Sequence, residues 1–353
     1  MYVPAALVTF DSMKNTNCGY YYFGMGLGNA LIDQNQQQFD LNFYLHKRTR
    51  YRFDERVNII YLSKLHNLYF PLKNKFDVVH FSDQECRLRP WKVNAKKIMT
   101  IHDMNKVHLL PAGSAPLQKY LQKLGTFIEK VDKIVTISEF VAKDVKHYFP
   151  RHQEKVSVIY NGADELSVTP GHLPALAPQK PFLFTIGVLT AQKGAHLLPS
   201  LLQDNDYELV IAGPETPHKQ VIIEEARRYG CLDRVHITGP ITDKDKAWYY
   251  QNCSAFLFPS RSEGFGLPVI EAMHFGKPVF LSRYTSLPEV GGNAAYYFDS
   301  FDPAHMQDVF NAGMKDFSTA DSTQKIIAQA EKFSWETAAK QYLELYEACL
   351  SAS

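Results

Sequence analysis

FPSRSEGFGLPVIE, residues 258–271, runs from the end of an apolar strand through a loop with two glycines into a helix that Pro268 opens. Proline suits a first helical turn, where its missing N–H would have found no partner. Gly264 and Gly266 let backbone N–H groups approach a ligand closely, and the helix N-terminus behind them has unpaired donors of its own. An anion or a hydroxyl-rich group fits such a place. Glu263 stands at the loop and Glu271 eight positions on, about one turn into the helix, so one carboxylate meets a ligand at the mouth while the other reaches from the helix flank. Two carboxylates that close suggest recognition of a polyol.

Outward from that loop, short β-branched or aromatic runs alternate with segments of helical period. In the first half these are Ala6–Phe10, Tyr20–Gln34, Val57–Leu62, Val78–Phe81, Lys97–Ile101, Lys119–Val131 and Ile134–Ile137. Such alternation predicts a parallel sheet with crossover helices. It restarts with Phe182–Ile186, a helix through Leu197–Leu202, Glu208–Ala212, Val221–Tyr229, Val235–Thr238, Ala255–Phe258, Pro268–Phe275 and Pro278–Leu281. Between the two halves lies Glu165–Pro181, where Pro170, Pro174, Pro178 and Pro181 prevent a continued helix or a central strand. The pattern predicts two doubly wound α/β units, residues 1–164 and 182–334, joined by a linker over 165–181 and followed by a helix over 335–353. Ligands of open α/β sheets sit beyond the carboxyl ends of the strands, so two such units facing each other predict a cleft lined by loops from both.

Length and composition agree with this reading. At 353 residues the chain exceeds one hydrophobic core, and 45% hydrophobic with 21% charged residues describes a globular protein, neither disordered nor fibrous. A net charge of +1 supplies no global field toward nucleic acid. The charge is uneven, however: residues 1–170 carry 23 Lys and Arg against 16 Asp and Glu, and residues 171–353 carry 15 against 21. His46–Arg52 (HKRTRYR), Arg87, Arg89, Trp91, Lys92, Lys96 and Lys97 supply much of the positive excess, which reads as a solvated face rather than a nucleic-acid site. Cys18, Cys86, Cys231, Cys253 and Cys349 are odd in number and form no C-x-x-C pair, which argues against a disulfide framework or a zinc site. The first residues lack a basic leader and nowhere do eighteen apolar residues run together, so a cytoplasmic protein is expected, touching a membrane at most from outside. The D-x-D strings, Asp204 with Asp206 and Asp243 with Asp245, lie in polar, turn-like stretches and read as solvated acids, leaving no metal site.

Glu263 and Glu271, in the context EGFGLPVIEAM, resemble the E-x7-E motif of the retaining glycosyltransferases of family 4, which have the GT-B fold. The resemblance extends over most of the chain. Gly19 followed by Leu27 and Leu31 looks like the family's first glycine loop and helix, Ile101-His102-Asp103 like its donor-site histidine, and Val135–Phe140 like its characteristic strand and turn. Asn161-Gly162, Ile186-Gly187 with Lys193-Gly194, Ala212-Gly213, Thr238-Gly239, Ser286-Leu287-Pro288-Glu289 and Phe333-Ser334-Trp335 follow in order. The resemblance implies two Rossmann-like domains facing across a cleft, with the last helix crossing back to the N-terminal one. It also implies retaining transfer of a hexose-like sugar from a UDP- or GDP-sugar to a saccharide or lipid-linked saccharide. The nucleotide sugar is a co-substrate and no cofactor is required. Surface polysaccharide or lipopolysaccharide synthesis is the family's commonest setting, and the basic half would meet an anionic membrane surface or a lipid diphosphate peripherally.

Glycosyl transfer needs the diphosphate leaving group stabilised as the anomeric bond breaks. Lys193 and the amides of the Gly187 loop suit that task. His102, at a strand's carboxyl end, can meet phosphate or a sugar hydroxyl as neutral or protonated imidazole, or be a satisfied core histidine. By resemblance Glu263, with the amides of Gly264, Phe265, Gly266 and Leu267, holds the donor sugar and Glu271 the ribose hydroxyls. His102, Lys193 and Glu263 are then the catalytic set. Gly239-Pro240-Ile241 lines the nucleobase or is simply a turn. The segment Gly19–Gly28 is not a G-x-G-x-x-G fingerprint; its glycines permit close helix packing, while Gly19 opens the cleft and counts among the donor-site residues. One departure stands out: the family's usual arginine after Gly187 is Val188 here, leaving Lys193 as the single cation unless Arg261 or Arg283 swings in. Two other readings stay open, a non-catalytic GT-B partner of another transferase and a GT-B sugar-nucleotide epimerase.

Overall fold

The computed structural model describes residues 2–16, 18–163, 165–317 and 320–351. Two compact units are present, one formed by Met1–Gly162 together with Phe333–Ser353, the other by Ala163–Lys332.

The first unit contains β1 (Ala5–Phe10), α1 (Gly19–Gln34), β2 (Asp40–Leu45), β3 (Asn58–Tyr61), β4 (Val78–Phe81), β5 (Lys96–Ile101), α2 (Asn105–Leu109), α3 (Ala115–Ile128), β6 (Lys133–Thr136), α4 (Glu139–Tyr148) and β7 (Val156–Val158). Its seven strands are parallel in the order β3-β2-β1-β4-β5-β6-β7. The central strands are covered on both faces, which explains why β4 reads as an unbroken buried run rather than an alternation. Strand β2 escapes the sequence reading because Asn42 interrupts its apolar run; fully buried, Asn42 donates to the Asp40 carbonyl at 2.8 Å. The segment expected as strand and turn around Val135–Phe140 continues into α4, started by Ser138, whose hydroxyl accepts the Val141 N–H at 3.2 Å.

The second unit contains β8 (Phe182–Ile186), β9 (Glu208–Ala212), α5 (Lys219–Arg228), β10 (Val235–Gly239), α6 (Asp243–Asn252), β11 (Ala255–Phe258), α7 (Leu267–His274), β12 (Val279–Ser282), α8 (Leu287–Gly291), β13 (Tyr296–Phe298), α9 (Pro303–Phe317) and α10 (Ala320–Ala330). Its six strands are also parallel, in the order β10-β9-β8-β11-β12-β13. The helix expected at Leu197–Leu202 is a tighter 3-10 run over Ala195–Leu202, since Pro199 within it has no N–H to donate. The proline-rich 165–181 stretch packs on α6, where the Tyr249 hydroxyl donates to the Leu176 carbonyl at 2.6 Å and His172 meets Asp245 at 2.8 Å.

Helix α11 (Trp335–Ser351) belongs to the first unit. Trp335 fills a notch that only glycine permits: a Cβ on Gly26 would stand 2.2 Å from its indole, and one on Gly162 would stand 2.1 Å from its backbone nitrogen. Deeper along the helix, the Tyr346 hydroxyl meets His80 Nδ1 at 2.7 Å, while Thr100 Oγ1 meets His80 Nε2 at 2.8 Å and the Tyr342 hydroxyl at 2.9 Å. All four side chains are buried, so the tyrosines satisfy strand polar groups that would otherwise be orphans in an apolar core. Burial pushes the His80 imidazole down to about 3. No helix among the described residues is long and apolar enough to cross a membrane.

Two outcomes follow from this network. Tyr346→Phe leaves His80 Nδ1 without its partner and should lower the unfolding free energy by about 1–3 kcal/mol in urea titration. Nitrogen-detected NMR should find His80 neutral at pH 5, whereas an imidazolium signal there would contradict the burial argument.

Candidate functional site

In the second sheet the strand order reverses between β8 and β11, the place where open α/β sheets bind ligands. Lys193 closes the turn after β8, and Glu263 stands in the loop after β11. Although 70 positions apart, they are brought together, the Lys193 ammonium bonding directly to Glu263 Oε1. The pair keeps partial access to solvent, with side-chain exposures of 28% and 13%. The Glu263 loop is pinned through its backbone. Its N–H donates to Thr285 Oγ1 at 3.0 Å, and the Ser286 hydroxyl donates to the carbonyls of Glu263 at 3.1 Å and Phe265 at 2.8 Å. Gly266 precedes α7 with φ of 125°, and no side chain caps this helix end, which Leu267 and Pro268 begin. Pro268 has no N–H and the Val269 N–H donates to the Gly266 carbonyl at 2.9 Å, so what this end offers an anion beyond Pro268 is the positive end of the helix dipole rather than a row of open amides.

The glycine turns around the pair are a backbone scaffold. The Gly187 N–H donates to the Ala212 carbonyl at 2.9 Å, Leu189 to Pro214 at 3.0 Å and Thr190 to Val188 at 2.7 Å. The expectation that the amides of the Gly187 loop serve a phosphate is corrected for Gly187, Leu189 and Thr190, whose donors are already engaged. Gly213 donates to the Gly239 carbonyl at 2.9 Å, and a Cβ on it would come within 2.1 Å of the Gly187 oxygen. The Gly239 carbonyl also accepts the Thr238 hydroxyl at 2.9 Å, leaving exposed Pro240 and half-buried Ile241 as the outer part of the turn. Arg261 is exposed, with its guanidinium 5.0 Å from the Phe301 ring, and Arg283 is bonded to Asp299. His196, three residues past Lys193, is held down to about 4 by burial and then by His218 and Arg261; its Nδ1 lies 3.1 Å from His218 Nε2.

Glu271 does not stand at the mouth. It is 8% exposed on α7, with Oε1 accepting from Lys246 Nζ at 2.8 Å and Oε2 from the Tyr250 hydroxyl at 2.9 Å. The polar, turn-like reading of Asp243 with Asp245 conceals both partners, because DKDKAWYYQN forms α6. A capping box starts that helix: Asp245 accepts from the Thr242 N–H at 3.1 Å and hydroxyl at 2.7 Å. Asp243 lies 3.5 Å from Lys246 Nζ. Asp243 and Asp245 are therefore engaged, not merely solvated, acids. The available signal was Thr242 three positions before Asp245.

In the first unit, His102 follows β5 and is buried, its ring 4.8 Å from Tyr20 and 4.4 Å from Phe23. Nε2–H donates to the Ser82 carbonyl at 2.8 Å, and burial lowers the imidazole to about 4. Of the two protonation states expected, the neutral one is present at pH 7, with the Nδ1 lone pair left to accept. Gly19 opens α1 with open space on its Cβ side. The sheet order reverses between β1 and β4, and a buried aspartate follows each, Asp11 and Asp83. Asp11 accepts the Arg87 N–H at 2.9 Å and Asp83 the Glu85 N–H at 2.6 Å. Burial, then neighbouring Asp11, pushes Asp83 up to about 7. An aspartate directly after an apolar run, as in AALVTFD and VVHFSD, was the unread signal.

Comparison with known proteins adds the family. Residues 174–333 match the family described as Glycosyl transferases group 1, and residues 32–165 match Glycosyltransferase Family 4. The chain is 30% identical over 287 residues to the serotype-specific mannosyltransferase WbdA of Escherichia coli, covering 75% of this chain and 34% of that protein. It is 26% identical to O-antigen chain mannosyltransferase B of Escherichia coli, covering 71% of this chain and 70% of that one. The sucrose-phosphate synthase of Thermosynechococcus elongatus has a similar fold, with a TM-score of 0.78 at 19% identity and full coverage of both chains. The chain thus spans about a third of the length of the WbdA proteins it matches. Built of two parallel-sheet Rossmann-like units with a GT-B-like fold, the chain matches the Glycosyltransferase Family 4 model in its first unit and the Glycosyl transferases group 1 model in its second.

Proposed function

We propose that the chain is a retaining hexosyltransferase that takes its sugar from a UDP- or GDP-linked donor, works without a bound metal, and elongates a saccharide or lipid-linked saccharide in surface polysaccharide or lipopolysaccharide assembly. The observation carrying this reading is the Lys193–Glu263 pair beside the uncapped start of α7. With donor present, the ammonium turns from the carboxylate to the diphosphate, and Glu263 is released to accept sugar hydroxyls. Lys193 and the positive end of the α7 dipole then stabilise charge as it develops on the departing phosphate. The bond from anomeric carbon to phosphate oxygen breaks, the acceptor oxygen bonds to that carbon on the same face, and the acceptor proton passes to the departing phosphate. Glu271 serves the ribose hydroxyls. Neutral His102 offers Nδ1 as an acceptor to a sugar hydroxyl. The mannosyltransferase relatives favour surface polysaccharide as the product class.

Transfer from a panel of radiolabelled UDP- and GDP-sugars tests the activity. Failure to hydrolyse or transfer any of them would favour a non-catalytic partner, which Val188 in place of a second cation would suit. Lys193→Ala should weaken donor binding about tenfold in calorimetry, whereas Glu263→Ala should chiefly reduce turnover, by about a hundredfold. Unchanged donor affinity in folded Lys193→Ala would remove the assignment.

Peripheral contact with an anionic membrane face is part of the same reading. Support comes from Leu65, Leu68, Tyr69 and Trp91, which are 69%, 77%, 62% and 49% exposed. Around them Lys64, Lys73, Lys75 and Lys92 pair with no carboxylate among the described residues. Lys92 ties the two segments together through the Leu68 carbonyl at 2.8 Å. The chain should float with phosphatidylglycerol vesicles but not with phosphatidylcholine vesicles, and Leu65→Ser with Leu68→Ser and Tyr69→Ser should abolish flotation.

A further inference from the structure

We infer that Lys246 is a positioning residue for the donor's ribose: with the Tyr250 hydroxyl, its buried ammonium fixes the Glu271 carboxylate in the orientation that accepts the ribose diol. The inference rests on the ribose role given to Glu271 above and adds the residues that make that role possible.

Lys246 and Glu271 are 6% and 8% exposed, and their charged atoms are 2.8 Å apart. Lys246 lies among the buried residues of α6, followed within the next turn by buried Ala247, Tyr249 and Tyr250. Replacing a buried ion pair by apolar side chains of similar volume is generally neutral or stabilising, so packing alone does not account for a lysine at this place. A carboxylate has about four lone-pair sites on its two oxygens. Lys246 takes one on Oε1 and Tyr250 takes one on Oε2, so by count each oxygen keeps a further site, as many as the two hydroxyls of a ribose diol require. Neither rotation about the terminal torsion nor withdrawal into the core is open to a carboxylate held at both oxygens.

The location of Lys246 links this to the base. Strand β10 ends at Gly239, the turn continues through Pro240 and Ile241, and Thr242 caps α6 four residues before Lys246. One β10–α6 connection therefore carries both the Gly239-Pro240-Ile241 turn, a candidate lining for the nucleobase, and the cation that sets the ribose acceptor. A donor lacking its ribose hydroxyls would meet the same base turn and phosphate loop but leave Glu271 unused.

Calorimetry on the full chain with UDP and GDP, each compared with its 2′,3′-dideoxy form, reads the ribose contribution as a ratio of affinities. The ribonucleotide should bind the wild-type chain about tenfold more tightly or better. Lys246→Met should bring that ratio to within about twofold of unity, and Lys246→Arg should restore most of it. A general loss of structure would weaken both forms alike and leave the ratio where it was. A preserved ratio in folded Lys246→Met, with the ratio lost in Glu271→Gln, overturns the inference and leaves the ribose role of Glu271 standing. A preserved ratio in Glu271→Gln, or no preference in the wild-type chain, overturns both. Should Lys246→Met fail to melt cooperatively, Tyr250→Phe removes the other hydrogen bond to the same carboxylate, and an unchanged ratio there is equally decisive against it.

Discussion

A carboxylate taken out of water has to be met by a counter-charge and by hydrogen bonds, and the second unit is arranged around one that is. Glu271 with Lys246 and Tyr250 fastens α7 to α6. Removing one member of such a pair leaves an uncompensated buried charge, at a cost of about 3–5 kcal/mol, several times what an exposed ion pair contributes. Because α7 is held from behind, the loop ahead of it has a fixed exit, and Ser286 and Thr285 then hold the backbone on either side of Glu263. The Lys193–Glu263 contact is the outward end of that chain of constraints. It is the part left partly open to solvent, at side-chain exposures of 28% and 13%.

The two units differ in how much buried charge they keep. In the first, His80 and His102 are driven down to about 3 and about 4, and Asp83 is driven up to about 7. Burial disfavours the charged form in every case, so the strand ends there stay close to neutral. Their effects on stability oppose each other. The histidines bind fewer protons folded than unfolded, so their contribution is intact above about pH 6.5 and is lost on acidification toward about 3 to 4. Asp83 holds its proton better folded than unfolded, so its penalty is full above about pH 7 and fades as the pH falls. The second unit holds His196 down in the same way, to about 4, but also buries a lysine and a carboxylate against each other, Lys246 and Glu271.

Much of this architecture was legible in the residues, for particular reasons. Parallel strands covered on both faces leave unbroken apolar runs, which made Phe182–Ile186, Ala255–Phe258 and Val78–Phe81 readable, and glycine with proline marked the loop before α7. Strand β2 was hidden by buried Asn42, whose partner is a local carbonyl no pattern announces. Helix α6 was hidden because its polar first turn resembles a solvated turn, and its buried lysine counts as surface in any tally of charge. Lys246 becomes meaningful only when Glu271, 25 positions away, is placed beside it. Contacts across such separations are set by packing, whereas spacing within a loop, as between Glu263 and Glu271, is written in the chain.

The terminal tyrosines have a consequence for biosynthesis. His80 and Thr100 emerge early from a ribosome, but the side chains that satisfy them, Tyr342 and Tyr346, are translated only after the whole of Ala163–Lys332. The first unit therefore cannot complete its interior during vectorial synthesis and must wait, with polar strand groups and the empty Gly26–Gly162 notch, while the inserted unit matures. Nascent chains stalled before Trp335 would be a natural client for chaperones, and any proteolytic clipping of the last helix would strip His80 and Thr100 of partners encoded 266 and 242 positions downstream of them.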